Sequence, residues 1–244
     1  MEWLTPDWPA PAWVRACSTT RSGGVSLGPF ASLNLSDRVG DDPERVVRNR
    51  TLLAERLSLP AAPLWLEQVH GCQVVTVWPD NGCPPADAAL AVEPSRVCAV
   101  MTADCLPVLL CDDQGTRVAA VHAGWRGLTA GIIEQTVAAL AVAPEHLLAW
   151  LGPAIGPDAF VVGDEVRALF IAGDPVASAA FRPTAGRWRA DLWELARLRL
   201  ERLGITRVYG GGACTFSQPE RFFSYRRDGL TGRQASLIWL APTD

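Results

Sequence analysis

The sequence predicts an α+β (mixed α/β) protein, a β-sheet core flanked by helices in one domain over 1–244. Strand-like apolar runs recur along the chain, and single helical stretches interrupt them instead of alternating strictly with them. No linker-like low-complexity segment or internal repeat divides the chain. With 244 residues, 49% of them apolar and 20% charged, it has the length and composition to bury a substantial core.

The elements follow in order. Residues 12–19 read as a buried strand. A helix is expected over 43–57, with Asp42 as N-cap and Pro43 at the first helical position, where a missing N–H costs nothing. Strands are expected over 74–78, 97–101, 107–110 and 117–121, with a Pro- and Gly-rich loop from Trp78 to Asp87. A second helix, about 128–140, follows the turn His122-Ala123-Gly124-Trp125-Arg126-Gly127. After a strand over 147–151, a third helix covers about 191–203 and ends at Gly204, a C-cap residue. Strands over 207–210 and 236–240 complete the chain.

Composition removes several classes of function. A net charge of −4 gives no reason to expect a nucleic-acid groove or an anionic membrane surface as partner. The apolar stretch 97–111 is too short to span a bilayer and carries Asp104. The opening stretch 1–7 lacks a basic region followed by an apolar one, so no secretory signal is expected and the cytoplasm is the expected location. Seven scattered cysteines without a Cys-x-x-Cys pair argue against a disulfide framework or a zinc ribbon. The chain contains no lysine, which rules out a Schiff base and a lysine-dependent phosphate loop. Anionic groups must therefore be held by arginine or by backbone N–H groups.

Two of the three histidines stand in turns that end apolar runs: His70 in Gln68-Val69-His70-Gly71, and His122 before Ala123-Gly124. Cys105, in Thr102-Ala103-Asp104-Cys105, ends another. Three such ligands with an open fourth position match a catalytic zinc site. Composition alone does not separate that trio from two hydrogen-bonded histidines and a core thiol. Asp104, beside Cys105, is a candidate general acid or base or an orienting carboxylate. Arg126, at the start of the expected second helix, is a candidate phosphate grip. Arg226 and Arg227, in a second polar patch that also includes Thr231-Gly232-Arg233, and Arg21, in a third polar patch over 19–26, are further candidates. His146 falls in an expected surface turn and receives no role.

These segments together resemble the YfiH-type, or laccase-domain, purine nucleoside phosphorylases. The resemblance rests on 21–30 with Ser32-Leu33-Asn34-Leu35, Gln68-Val69-His70-Gly71, Ala86-Asp87-Ala88, Thr102-Ala103-Asp104-Cys105-Leu106-Pro107 and His122-Ala123-Gly124-Trp125-Arg126-Gly127. Gly152-Pro153-Ala154-Ile155 and Phe223-Ser224-Tyr225-Arg226-Arg227-Asp228-Gly229 continue it in the same order. It implies a zinc site on His70, Cys105 and His122, and a mixed α/β fold. It also implies phosphorolysis of adenosine, inosine and methylthioadenosine, with adenosine deamination beside it. The partners implied are purine nucleosides and phosphate, in a monomer or small homo-oligomer. The family also carries a polyphenol oxidase label, with copper. The Pro-rich stretch between Trp78 and Ala86, which includes Cys83, departs from the family pattern.

Two alternatives stay open on the residues themselves. Cys105, paired with either histidine, can be the nucleophile of a hydrolase. A metal-dependent binding module without turnover is the other. A full multicopper centre is excluded by counting, because three histidines cannot furnish its ligands.

Overall fold

The computed structural model of the chain describes residues 1–79 and 82–242, so Asp80 and Asn81 of the Pro-rich loop lie outside the described residues. Strands β1 (Trp3–Leu4) and β2 (Val14–Thr19) precede helix α1 (Pro43–Leu57). Then come β3 (Val74–Val75), β4 (Ala88–Ala91), β5 (Val97–Thr102), β6 (Leu106–Asp112) and β7 (Val118–Ala123). Helices α2 (Trp125–Ala130) and α3 (Ile132–Leu140) lead to β8 (Leu147–Leu151), β9 (Val161–Val162) and α4 (Asp164–Gly173). The chain continues through β10 (Phe181–Thr184), β11 (Arg187–Ala190), α5 (Leu192–Arg202), β12 (Val208–Gly210), α6 (Tyr225–Asp228) and β13 (Gln234–Leu240).

The strands form a mixed six-stranded sheet of order β12-β8-β6-β7-β4-β3 and an antiparallel four-stranded sheet of order β1-β2-β13-β5. A three-stranded sheet, β10-β11-β9, stands beside them. The mixed α/β expectation is therefore met, and the reason β6 and β7 read as continuous apolar runs is visible in the layering. One face of the six-stranded sheet, with Leu106, Val108, Leu110 and Val121, packs on Ile132, Ile133 and Val137 of α3 and on residues of α4 and α5. Its other face, with Leu109, Cys111, Val118 and Ala120, packs on Cys98, Val100 and Ile238 of the four-stranded sheet. The far side of that second sheet, through Ala99, Met101 and Leu237, meets Leu33, Leu35 and Leu53. A strand buried on both faces loses the polar alternation that marks a solvated sheet.

Local signals set several boundaries. Asp42 accepts the Glu44 N–H at 2.9 Å to start α1, and Asp191 accepts the N–H groups of Trp193 and Glu194 to start α5. The continuous helix expected over 128–140 is corrected. It begins earlier, at Trp125, and breaks at Gly131, whose φ of +90° lies where only glycine is unstrained. Strand β4 and helix α4 were not expected. An Ala-rich strand has weak β-propensity, and Gly163 starts α4 with no side-chain cap. The β10–β11 hairpin turns through Ala185 and Gly186, both at positive φ, a primed turn without the usual Asn-Gly sequence.

Candidate metal centre

The β6–β7 pairing places Leu106 opposite Ala123 and Pro107 opposite His122. Cys105, one residue before β6, thus sits beside the end of β7 where His122 and Gly124 lie. His70 reaches the same place from the loop before β3, with its own φ at +60°. The ligand atoms of His70, Cys105 and His122 all lie within 4.8 Å of one another. Cys105 Sγ is 4.0 Å from His70 Nε2, and the two imidazole rings meet edge to face with centroids 4.8 Å apart. His70 is exposed, Cys105 half-buried and His122 buried, so the trio is a floor open on one side.

Gly124 makes this approach possible. A Cβ there would stand 2.9 Å from Cys105 Sγ and 3.4 Å from His70 Cδ2.

Asp87, fully buried, holds both histidines. Its carboxylate accepts the His70 N–H at 2.9 Å and the Gly71 N–H at 2.7 Å, which pins the loop, and lies 2.8 Å from His122 Nδ1. With Nδ1 so engaged, Nε2 is the His122 atom left for a ligand. Burial alone would raise the Asp87 carboxyl, but the bonds from His122, Gly71 and His70 hold it below its ordinary value. Sequence reasoning gave Asp87 no place among the site residues. The available signal was an isolated carboxylate inside the apolar stretch Ala86-Asp87-Ala88-Ala89-Leu90. Gln68 adds a second clasp: its amide donates to Met101 O and accepts the Met101 N–H, both at 2.7 Å, tying the His70 loop to β5.

Burial pushes the Cys105 thiol up, and the neighbouring His122 and His70 more than reverse this, bringing it down to about 6. His122 moves oppositely. Burial lowers it, while Cys105 and Asp87 carry it up to about 9. The buried thiols of Cys17 and Cys111 lack such partners, and burial pushes both up to about 12. Two imidazoles and a thiolate-prone sulfur, with a carboxylate behind one imidazole, form a donor set that fits a borderline-soft divalent metal.

Asp104 has a different surrounding. One carboxylate oxygen accepts the Thr215 hydroxyl at 2.6 Å and the other accepts the Arg226 N–H at 2.6 Å, with the residue itself at φ +102°. Both oxygens are thus occupied in tying the Cys105 turn to the α6 segment. Glu67, a neighbour in sequence of the His70 turn, forms an exposed ion pair with Arg38 at 2.5 Å.

A cavity of about 430 Å³ opens over the trio, within the size of small-ligand sites. Its wall includes Ser36, Gln68, Thr102 and Tyr225, and its arginines are Arg38 and Arg233. The four arginines singled out from sequence are placed elsewhere. The Arg21 guanidinium donates to Ala31 O and Pro219 O over the Phe223 ring, and Arg227 donates to the carbonyls of Thr215, Phe216 and Phe222. Arg226 donates to Val161 O, and the exposed Arg126 lies over the Trp125 ring. A larger groove of about 660 Å³, lined by Trp3, Trp8 and Trp239, holds no metal-ligating cluster among the described residues.

Comparison with known proteins gives a consistent set of relatives. Residues 15–241 match the family described as multi-copper polyphenol oxidoreductase laccase. A Pseudomonas aeruginosa protein named purine nucleoside phosphorylase is 59% identical over 240 residues, covering 98% of each chain. The Escherichia coli protein named purine nucleoside phosphorylase YfiH is 54% identical over 97% of this chain and 98% of its own. Among solved structures, a Neisseria meningitidis protein matches with a TM-score of 0.94 at 51% identity, covering 99% of this chain and all of that one. YlmD from Geobacillus stearothermophilus matches with the same TM-score at 35% identity, covering 99% of this chain and 97% of its own.

Proposed function

The chain belongs to this laccase-type family, whose curated relatives are named purine nucleoside phosphorylases, and from that premise we propose a zinc-dependent phosphorylase acting on adenosine, inosine and methylthioadenosine. The observation that carries the reading is the His70–Cys105–His122 cluster on the floor of a nucleoside-sized cavity. A zinc ion held by these three side chains would supply Lewis-acid polarisation of an oxygen at its open position.

In phosphorolysis a phosphate oxygen forms a bond to the sugar C1′ while the glycosidic C–N bond breaks and its electron pair leaves with the purine. The proton of hydrogen phosphate ends on the leaving base, so free base and ribose 1-phosphate account for every atom. Asp87 keeps His122 in one tautomer and His70 in one backbone conformation, which fixes the floor against which this displacement occurs. Asp104 orients the Cys105 turn through Thr215 and Arg226.

Adenosine deamination belongs to the reading as a side activity of the same centre. The His-x-Glu and Pro-Cys-x-x-Cys signatures of zinc nucleobase deaminases are absent from the sequence, so its proton shuttle would differ from theirs. The family's polyphenol oxidase description favours one second reading: a single copper at the same ligands, with oxidase activity. A cytoplasmic monomer or small homo-oligomer is the expected form, and no helix among the described residues is long and apolar enough to cross a membrane.

The test is mass-spectrometric product analysis of adenosine incubated with and without phosphate. Ribose 1-phosphate formed only with phosphate, and lost in Cys105→Ala, is the expected result. No turnover of any purine nucleoside overturns the reading. One tightly bound zinc that shields Cys105 from alkylation would count against a Cys105 nucleophile.

A further inference from the structure

We propose that Arg233, with the hydroxyl of Thr102, is the oxyanion subsite of the cavity and holds the phosphate co-substrate against the metal floor; this rests on the phosphorolysis reading above.

Arg233 immediately precedes β13, and Thr102 ends β5, where Gln234 pairs with Thr102 in the antiparallel register. The two side chains thus enter the cavity from neighbouring strands whose spacing the sheet fixes. The Arg233 backbone is held on both sides: its N–H donates to Asn34 Oδ1 at 2.9 Å, and its carbonyl accepts the Leu35 N–H at 3.1 Å. Asn34 is itself fully buried, so this anchor is rigid.

The half-buried guanidinium is only partly used. Its Nη1 donates to the carbonyls of Thr231 and Gly232, both at 3.0 Å, while Nε and Nη2 have no protein partner among the described residues. Arg38, the other arginine of the wall, is instead paired with Glu67. Thr102 Oγ1 is buried and has no hydrogen-bond partner among the described residues, the residue being only 2% exposed. A buried hydroxyl without a partner is destabilising, and an oxyanion ligand would recover that loss. A planar fork with two open donors beside one hydroxyl is chemistry suited to a tetrahedral dianion.

The experiment uses metal-loaded full-length protein and inorganic phosphate as the probe. Phosphate affinity is measured by calorimetry, and KM is measured separately for phosphate and inosine. In Arg233→Met, phosphate Kd and KM should rise about tenfold or more while inosine KM stays within about twofold. Thr102→Val should raise the phosphate values about three- to fivefold. An unchanged phosphate Kd in an Arg233→Met protein that keeps its metal and melting temperature overturns the proposal. So does a rise confined to inosine KM. If that variant does not fold, Arg233→Lys keeps the charge without the fork and should still weaken phosphate binding; unaltered binding there overturns the proposal. Wild-type protein that binds phosphate through Arg233 yet turns over no nucleoside would sink the phosphorolysis reading and leave the subsite standing. Wild-type protein that binds no phosphate at millimolar concentration would remove the subsite.

Discussion

Asp87 Oδ1 lies 2.8 Å from His122 Nδ1, with both side chains almost wholly shielded from water, and the same oxygen accepts the His70 N–H. One carboxylate thereby orients both imidazoles of the candidate metal centre.

Asp87→Asn should therefore lower metal affinity by roughly 10- to 100-fold, the usual cost of losing such a supporting partner. Chelator competition followed by metal analysis measures it. Retention of wild-type affinity would show that the carboxylate does not orient the ligands.

In metal-free protein, alkylation of Cys105 should follow the thiolate fraction. Because the group is drawn down to about 6, its reactivity should be nearly full at pH 7 and fall as the pH drops through about 6. Cys17 and Cys111, pushed up to about 12, should stay inert across that range. Peptide mass mapping after timed iodoacetamide treatment reads all three, and adding zinc should protect Cys105. An inflection near the ordinary thiol value of about 8.5 would contradict the charge arrangement.

Gly124→Ala should weaken the centre more than it weakens the fold. The new methyl would meet Cys105 Sγ at 2.9 Å, so the sulfur or the His70 ring must move. Metal occupancy should fall several-fold with a modest change in melting temperature. A variant with full occupancy would mean that the turn relaxes without cost.

Asp104→Asn keeps a residue that tolerates positive φ but removes the charge accepting from Thr215 and the Arg226 N–H. A loss of about 1–3 kcal/mol in unfolding free energy is expected. If Asp104 acts by positioning, the pH profile of turnover should keep its shape. Disappearance of one limb of that profile would instead assign it a proton-transfer role.

Helices α1 and α5 were legible because their signals are local: Asp42 with Pro43 at the start of α1, and Gly204 just past the end of α5, act within a few residues of the helix ends. The trio of His70, Cys105 and His122 was legible because scarce ligand types stood at the ends of apolar runs, where the chain breaks into turns. The arginines were not legible in this way. A guanidinium's use depends on which carbonyls the folded chain brings to it, as Pro219 O and Ala31 O reach Arg21 across 198 and 10 residues.

The sequence by itself determined the mixed α/β class, the absence of lysine chemistry and the three metal-ligand candidates. Only the tertiary structure decided that Asp87 joins the two histidines and that Arg233 and Thr102 face the cavity. These features arise from pairings between strands far apart in the chain. Their hydrogen bonds and close contacts leave no local pattern in the residues that make them.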